Sequence, residues 1–275
     1  MEEFRNRYYP TILQSIHLII LYIFIQTLVD FPLALIDYYK GTDYLYHPAK
    51  KIILGVGSTV FILYYGFRKT GSRLKEVFPL KPFNLLTILP LALFFVGAHV
   101  LIGEVNIGVE KVIPPPAWFW ELFNNIFESD FGLWGAFFKV VLVAPIVEEL
   151  IFRGVIMHGL MRNYSKVTAI LMSGLLFALF HLNPWQFPAT FVLGILLGWL
   201  MIRTRNIGLC ILGHALNNGW VLLSITLSQK FESAETMQLP KSEFLILAGG
   251  LTLLSVAAMI LLTRRKKIAK TPVSA

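Results

Sequence analysis

The sequence predicts an all-α, polytopic membrane protein with about eight transmembrane helices in one bundle. Of its 275 residues, 56% are hydrophobic and only 15% are charged, whereas soluble domains carry about a quarter charged residues. Several apolar segments also approach or exceed the roughly 20 residues that a helix needs to cross a bilayer. Because these segments cover most of the chain, we predict a single membrane domain, residues 1–275, and not a soluble domain with an anchor.

Eight candidate helices follow from the apolar segments. They cover residues 11–36, 52–67, 85–103, 131–161, 167–182, 188–202, 207–227 and 243–263. Prolines fall inside or near the ends of some of these segments, and membrane helices tolerate proline better than soluble ones do. The second, fifth and sixth segments are short for a full crossing, so we expect tilt or partial penetration there.

The distribution of basic residues predicts the orientation. With a cytoplasmic N-terminus, 16 Lys and Arg fall on the cytoplasmic side, six on the opposite side and two inside a span. This asymmetry favours cytoplasmic N- and C-termini by the positive-inside rule. It also explains the formal net charge of +8, so we expect no nucleic-acid partner. The predicted location is a membrane that the chain crosses several times, the cell membrane if the organism is a prokaryote.

The longest predicted outer connection, residues 104–130, is amphipathic. A run of three prolines at 114–116 precedes Trp118-Phe119-Trp120, and apolar and acidic residues alternate after it. This pattern predicts a short helix in the membrane interface. An ordinary aromatic belt is the favoured interpretation, and a lid over a substrate entrance is the alternative.

Two adjacent carboxylates and an arginine lie inside the segment 131–161. Each of Glu148, Glu149 and Arg153 would cost several kcal/mol in hydrocarbon without a partner or a water-filled cavity. Glu149 and Arg153 are four residues apart and can pair on one helix face, while Glu148 is turned about 100° away. We therefore predict a structural Glu149–Arg153 pair and a Glu148 that faces a different partner.

Three more polar residues lie in later apolar segments. His181 ends the fifth segment, and His214 and Asn218 share a face of the seventh. Counted from the basic residue at each helix's inner end, Glu148, His181 and Asn218 lie about 20 Å deep and His214 about 14 Å deep, at roughly 1.5 Å per residue. Four polar groups from three helices are therefore predicted to share one layer near the middle of the bilayer.

These residue types suit the hydrolysis of an amide bond. A carboxylate can act as a general base towards water, a histidine can orient water or donate to an oxyanion, and a carboxamide can donate without adding charge. A Glu–His–His set can also hold zinc with one open position. A metal, if present, would be bound by Glu148, His181 and His214. The chain has no H-E-x-x-H motif, so no single helix supplies two ligands in that way.

The ordered motifs resemble those of one membrane-protein family. Glu148-Glu149-x-x-x-Arg153, Phe177-x-x-x-His181 and His214-x-x-x-Asn218 are similar to the motifs of the CPBP family, which comprises the type II CAAX prenyl endopeptidases and their bacterial relatives. The resemblance covers residues 131–227, which we expect to form the catalytic core. It implies an intramembrane endopeptidase with a cavity that opens towards the cytoplasm.

The resemblance also implies a role for each motif residue. Glu148 would activate water, and His181 would help to hold that water. His214 and Asn218 would stabilise the oxyanion, and the Glu149–Arg153 pair would support the geometry of the site.

The resemblance leaves two readings of the cofactor. The family has been described both as metalloproteases and as glutamate-dependent, metal-independent proteases. No cofactor is favoured and zinc is the alternative, because a carboxamide such as Asn218 is a poor zinc ligand.

The implied partners are the lipid bilayer and a peptide or membrane-protein substrate, with a prenylated C-terminus or a leader peptide as examples. Two other classes of function stay open. Buried Glu, His and Arg side chains also build proton relays, so a proton-coupled transporter is one alternative, although we find no repeated halves of the common transporter kind. The other is a non-catalytic relative that acts as a scaffold or immunity factor.

Other polar or small residues in the spans receive structural interpretations. His158 and Asn217 are interpreted as structural or supporting groups, and His17, His99 and Lys139 are assigned no role. Gly194 and Gly198 form a G-x-x-x-G pattern in the sixth segment, which predicts close packing against another helix.

Overall fold

A computed structural model describes residues 8–42, 44, 48–117, 132–230 and 241–263, and this part of the chain is all-α. We number its helices α1 (Ile12–Lys40), α2 (Pro48–Thr70), α3 (Leu74–Val77), α4 (Ile88–Val112), α5 (132–163), α6 (Lys166–Phe180), α7 (Phe187–Thr204), α8 (Ile207–Lys230) and α9 (Lys241–Leu262). A 3₁₀ turn, Leu85–Thr87, leads into α4. Each predicted helix has a counterpart, and the four-residue α3 was not predicted.

The described residues include five helices that are long and apolar enough to cross a membrane. They lie at Ile12–Lys40, Leu85–Val112, Phe187–Thr204, Ile207–Leu227 and Lys241–Leu262, while Lys166–Phe180 is a shorter apolar helix. The protein is therefore an all-α, multi-pass integral membrane protein, as predicted. The count of eight crossings stays a prediction.

One predicted boundary is wrong. Helix α4 continues to Val112, past its predicted end at residue 103, so Glu104 and Glu110 lie on a helix and not in an outer loop. Glu104 forms an ion pair with Lys241 at the start of α9, in which Glu104 Oε2 and Lys241 Nζ are 2.6 Å apart. Residues 118–131, where the interfacial helix was predicted, lie outside the described residues.

Helix α5 alternates between two helical forms. Its α-helical segments are Gly132–Ala136, Ala144–Glu149 and Met157–Asn163, and its π-helical segments are Phe137–Val143 and Leu150–Ile156. In a π-helix each N–H bonds to the carbonyl five residues back, and the N–H of Ala144 accordingly donates to the carbonyl of Lys139. The predicted helix 131–161 is therefore present, but with a π segment on each side of its two adjacent glutamates.

Helices α6 and α7 pack with their backbones in contact at the predicted glycine pattern. A Cβ atom added to Gly194 would lie 2.7 Å from the Cα of Gly174, closer than real Cβ atoms approach. A Cβ atom added to Gly198 would meet its nearest neighbour, Ile170 Cα, at 3.6 Å, which is ordinary contact. The prediction of close packing is confirmed, and Gly194 is the glycine on which it depends.

The main hydrophobic core surrounds the second half of α5, where residues 151–160 are all buried. Phe152, Phe177, Leu197 and Leu200 are fully buried around it, so α6 and α7 cover this part of the helix. The Glu148–Glu149 pair lies at the edge of this core, where α5 also meets α8.

The residues before α1 cross the far end of α5. The amide N of Tyr8 donates to Asn163 Oδ1 at 3.0 Å, and the hydroxyl of Tyr164 accepts the amide N–H of Ile12 at 3.4 Å. A side chain at Gly159 would collide with Pro10. We call residues 8–11 the N-terminal strap, because they bind to the last turn of α5.

Candidate active site

The Glu149 carboxylate is fully buried and has two partners. Its Oε1 atom lies 3.0 Å from Arg153 Nη1 and 2.9 Å from His214 Nδ1. Arg153 also donates from Nη2 to the carbonyl of Gly194 at 3.1 Å. The predicted Glu149–Arg153 pair is therefore present. Its additional bonds to α7 and α8 offset part of the cost of desolvating the two charges, while Glu149 Oε2 and Arg153 Nε are buried without a hydrogen-bond partner among the described residues.

The Phe177 ring lies beneath this ion pair. The Arg153 guanidinium is 4.6 Å from the ring centroid, a cation–π distance. The rings of His181 and His214 approach Phe177 edge-on, at centroid distances of 4.9 and 5.5 Å. Phe177 thus contacts the histidine of its own motif, His181, and one residue from each of the other two motifs, Arg153 and His214.

The structure brings Glu148 together with both motif histidines. Glu148 Oε2 lies 4.0 Å from His181 Nε2 and 4.0 Å from His214 Nε2. The side chains of Glu148 and His181 are 17% and 23% exposed, whereas that of His214 is 2% exposed. Three helices, α5, α6 and α8, therefore supply one polar group each to one site, in which Glu148 Oε2 itself is buried and has no hydrogen-bond partner among the described residues. Glu148 faces away from Arg153, as helical spacing predicted.

The contacts of the two Nδ1 atoms define the orientation of the His181 and His214 rings. Nδ1 of His214 faces the Glu149 carboxylate, and Nδ1 of His181 lies 2.9 Å from the carbonyl oxygen of Phe177. An ionised carboxylate and a carbonyl can only accept, so each Nδ1 must carry the proton. In the neutral imidazole each Nε2 then presents a lone pair towards Glu148. The three groups suit a ligand that can donate, such as water, or a cation.

The spacing of these groups fits water better than zinc. Donor atoms at the usual Zn–N and Zn–O distances in a tetrahedral site lie about 3.4 Å from one another, and the 4.0 Å separations here are longer. A water with hydrogen bonds of about 2.8 Å can bridge atoms 4.0 Å apart. Within the described residues no group of three His, Cys, Asp or Glu side chains is arranged to hold a metal ion.

Asn218 makes a different contact from the other motif residues. Its Nδ2 atom donates to the carbonyl oxygen of Val140 in α5 at 2.8 Å, and its Oδ1 atom accepts from Asn217 Nδ2 at 3.0 Å. Asn218 lies one turn beyond His214 on α8, but its amide is bonded to α5 and not to Glu148. Carbonyls point towards the C-terminal end of a helix and side chains lean towards the N-terminal end. The Val140 carbonyl and the Glu148 side chain, eight residues apart on α5, therefore both lean towards the stretch of helix between them.

An apolar cavity of 350 Å³ lies between the start of α5 and the second half of α8, and Gly219, the residue after Asn218, is among those that line it. Its lining residues are Leu133, Trp134, Phe137, Gly219, Leu222, Leu223 and Thr226. Since all but one of these side chains are apolar or absent, the cavity suits an apolar group.

His158 and His99 make contacts with other residues. His158 Nε2 is 2.9 Å from Ser72 Oγ, which also accepts from Arg162 at 2.8 Å, near the end of α5. His99 packs edge-on against Trp220 on α8, with the ring centroids 6.4 Å apart. His158 is thus a structural group, as interpreted, and it links the loop after α2 to α5.

Sequence reasoning missed the contacts that join helices. The bond from His214 to Glu149 and the bond from Arg153 to Gly194 cross between α5, α8 and α7. Spacing along one helix shows only partners on that helix, so Glu149 was interpreted as a partner of Arg153 alone. The one available signal was Phe177 of the second motif, whose ring contacts both Arg153 and His214.

Comparisons with known proteins bear on the same segment. Residues 130–220 match the family model described as Type II CAAX prenyl endopeptidase Rce1-like. A stretch of 93 residues is 32% identical to the Membrane-embedded CAAX protease MroQ of Staphylococcus aureus (strain USA300) and covers 31% of this chain and 37% of that protein. A stretch of 172 residues is 29% identical to the UPF0177 protein YbdI of Lactococcus lactis subsp. lactis (strain IL1403) and covers 60% of this chain and 89% of that protein. No solved structure matches the chain significantly.

Proposed function

We propose that this protein is an intramembrane endopeptidase, because residues 130–220 match the type II CAAX prenyl endopeptidase Rce1-like model of the CPBP family. It hydrolyses a peptide bond with a water that Glu148 activates. One observation carries this proposal: Glu148 Oε2 lies 4.0 Å from the Nε2 atoms of two histidines whose other nitrogens are hydrogen-bonded. The match spans only 37% of the Staphylococcus aureus relative, so the activity is our inference from this site.

The first step is the attack of water on the scissile carbonyl carbon. The water donates one hydrogen bond to Glu148 and the other to Nε2 of His181, which leaves an oxygen lone pair for the substrate. Glu148 takes a proton from the water as the new C–O bond forms, and the carbonyl oxygen becomes an oxyanion. The hydrogen bond from His181 Nδ1 to the Phe177 carbonyl keeps this imidazole in the accepting orientation.

The oxyanion requires donors on the α8 side of the site. His214 enters the reaction with a proton on Nε2 as well as on Nδ1, which stays bonded to Glu149. The Nε2–H donates to the oxyanion and keeps its proton throughout, so His214 neither gains nor loses a proton in the reaction. Asn218 contributes the second hydrogen of its Nδ2 atom, since only one is used by Val140. Collapse of the intermediate breaks the C–N bond, and Glu148 delivers its proton to the leaving nitrogen. The products are a carboxylic acid and an amine, which become a carboxylate and an ammonium group by transfer of one proton.

The substrate is a peptide or a membrane-protein segment in contact with the bilayer. The apolar cavity lined by Gly219 can take an apolar part of that substrate. One relative is named a CAAX protease, so a prenylated C-terminus is one candidate and a leader peptide is another. We also propose that both termini are cytoplasmic, because the basic residues favour that orientation.

The test is the isosteric variant Glu148→Gln. Expressed in the native host, it should retain bound substrate, which crosslinking and mass spectrometry of the co-purified peptides would identify. Purified wild-type protein should then cleave those peptides in detergent or liposomes, whereas Glu148→Gln should not. Glu104→Gln is the matched control, because Glu104 lies on α4 in a surface ion pair with Lys241. Full activity of a well-folded Glu148→Gln protein would overturn the mechanism.

The same preparation decides between the proposal and the transporter alternative. A proton-coupled transporter would move its substrate across a liposome membrane and leave the peptide intact. An endopeptidase would produce two fragments with a new amino terminus. A non-catalytic scaffold would bind the co-purified peptide without either result.

A further inference from the structure

The amide of Asn218 is held at both ends. Its nitrogen donates to the Val140 carbonyl at 2.8 Å, and its oxygen accepts from Asn217 Nδ2 at 3.0 Å. The first bond joins α8 to α5, and the second joins neighbouring side chains on α8. Only the first involves a group with a fixed chemical role, because a backbone carbonyl is always an acceptor.

The Val140 carbonyl is available because of the local backbone of α5. Val140 lies in the π-helical segment Phe137–Val143, where the N–H of Ala144 donates to Lys139 and not to Val140. The carbonyl of Val140 would then bond to the N–H of residue 145. Residue 145 is proline and has no N–H. The π register and Pro145 together leave this carbonyl for the Asn218 amide.

The Val140 carbonyl, a fixed acceptor, selects the orientation of the Asn218 amide, and the Asn217 donor matches that orientation. A rotation of 180° would place its oxygen against the Val140 carbonyl and its NH₂ group against the NH₂ group of Asn217. Each contact would replace an attraction with a repulsion and leave polar groups unpaired, at a cost of about 1–3 kcal/mol for each group. The NH₂ side is therefore fixed towards α5, where Glu148 also lies.

We propose that Asn217 is a positioning residue for the peptidase reaction. It holds the oxygen of the Asn218 amide, and the Val140 carbonyl holds one hydrogen of the nitrogen. The second hydrogen of that nitrogen is then directed at the developing oxyanion. Asn217 acts through Asn218 and does not touch the substrate. This inference rests on the proposed function and assigns a role to a residue that lies outside the family motifs.

Two variants of Asn217 separate its hydrogen bond from its size. Asn217→Asp keeps the shape and replaces the donor with an acceptor, which repels the Asn218 oxygen. Asn217→Leu keeps a similar volume and removes the donor without adding charge. We expect kcat to fall by about 10²-fold in Asn217→Asp, close to the loss for one missing oxyanion donor. In Asn217→Leu we expect a fall of about 10-fold, and in both variants KM should change by less than about threefold.

The experiment is a double-mutant cycle with Asn218→Ala, measured as kcat and KM for a peptide identified with Glu148→Gln. If Asn217 acts through Asn218, then Asn217→Asp should lower kcat in the wild-type background and by less than about twofold in the Asn218→Ala background. A packing defect would lower activity equally in both backgrounds. Asn217→Gln, which retains an NH₂ donor, should recover part of the lost activity. Elution volume and thermal unfolding of each variant verify the fold.

The outcomes separate this inference from the proposed function. Wild-type kcat in both Asn217→Asp and Asn217→Leu, with an impaired Asn218→Ala, would overturn the positioning role alone. Equal losses in the two backgrounds would overturn it as well. An unimpaired Asn218→Ala protein would instead remove the oxyanion step from the proposed function.

Discussion

His214 Nδ1 lies 2.9 Å from Glu149 Oε1, and this bond makes the buried ion pair of α5 part of the candidate active site. The same oxygen accepts from Arg153 at 3.0 Å. The two neighbouring glutamates thus contact different histidine atoms. Glu149 is bonded to Nδ1 of His214, whereas Glu148 faces the Nε2 atoms of His181 and His214.

The two glutamates should differ in their effect on stability. Glu149→Gln removes the charge opposite a guanidinium that is fully buried, and breaking a buried pair in this way costs about 3–5 kcal/mol. Glu148→Gln should change the free energy of unfolding by less than about 1 kcal/mol, because the Glu148 side chain is partly exposed and the Nε2 atoms of His181 and His214 are 4.0 Å from its Oε2 atom. Thermal unfolding of both variants in the same detergent measures the difference. Equal melting temperatures would contradict this assignment.

The two histidines should both be required for turnover. His181→Ala removes an acceptor for the attacking water, and His214→Ala removes the donor that Glu149 holds, so each should lose about 10²–10⁴-fold in kcat. His158→Ala is the matched control, since His158 bonds to Ser72 near the end of α5. Peptide cleavage by purified variants gives the comparison, and a His181→Ala protein with normal kcat would exclude the proposed role in holding water.

The G-x-x-x-G pattern should tolerate alanine at one glycine and not at the other. Gly194→Ala places a methyl group 2.7 Å from the Gly174 backbone, so α6 and α7 must separate, which we expect to cost about 1–3 kcal/mol. Because the Gly194 carbonyl accepts from Arg153, this variant should also lose activity. Gly198→Ala meets its nearest atom at 3.6 Å and should be close to wild type in stability and cleavage.

Removal of metal ions should leave turnover intact. The 4.0 Å separations between Glu148 and the two Nε2 atoms exceed the spacing of zinc ligands. Protein that has been treated exhaustively with chelator, with its metal content measured by mass spectrometry, should cleave the peptide at the wild-type rate. Loss of activity that returns with a stoichiometric amount of zinc would instead support a metallopeptidase.

The sequence predicted the helices of this fold well because membrane insertion leaves a strong local signal. Long apolar segments define the spans, and the four-residue spacing of Glu149 and Arg153 predicted their pair. The end of α4 was misplaced, because acidic residues such as Glu104 look like a loop although a helix can carry them at its outer end. The positions of the π segments in α5 depend on backbone registers that composition does not reveal.

The candidate site was predicted as a set of residues and not as a network. The prediction of one shared layer is compatible with the contacts of Glu148, His181 and His214, while Asn218 bonds to Val140. That bond depends on a proline that removes an N–H and on a shift to π-helical register. Pro145 is visible in the sequence, but the π register that pairs its missing N–H with the Val140 carbonyl is not, so the sequence alone could not indicate the bond.

The N-terminal strap has a consequence for biosynthesis. Tyr8 bonds to Asn163, 155 residues later in the chain, so the strap is made long before its binding site. At about 5–20 residues per second, the ribosome needs on the order of 10–30 s to reach Asn163. During that time α1 must be inserted with its leading residues unbound. Docking of the strap can occur only after the end of α5 has been made, so it marks the completion of α5 and not the start of folding.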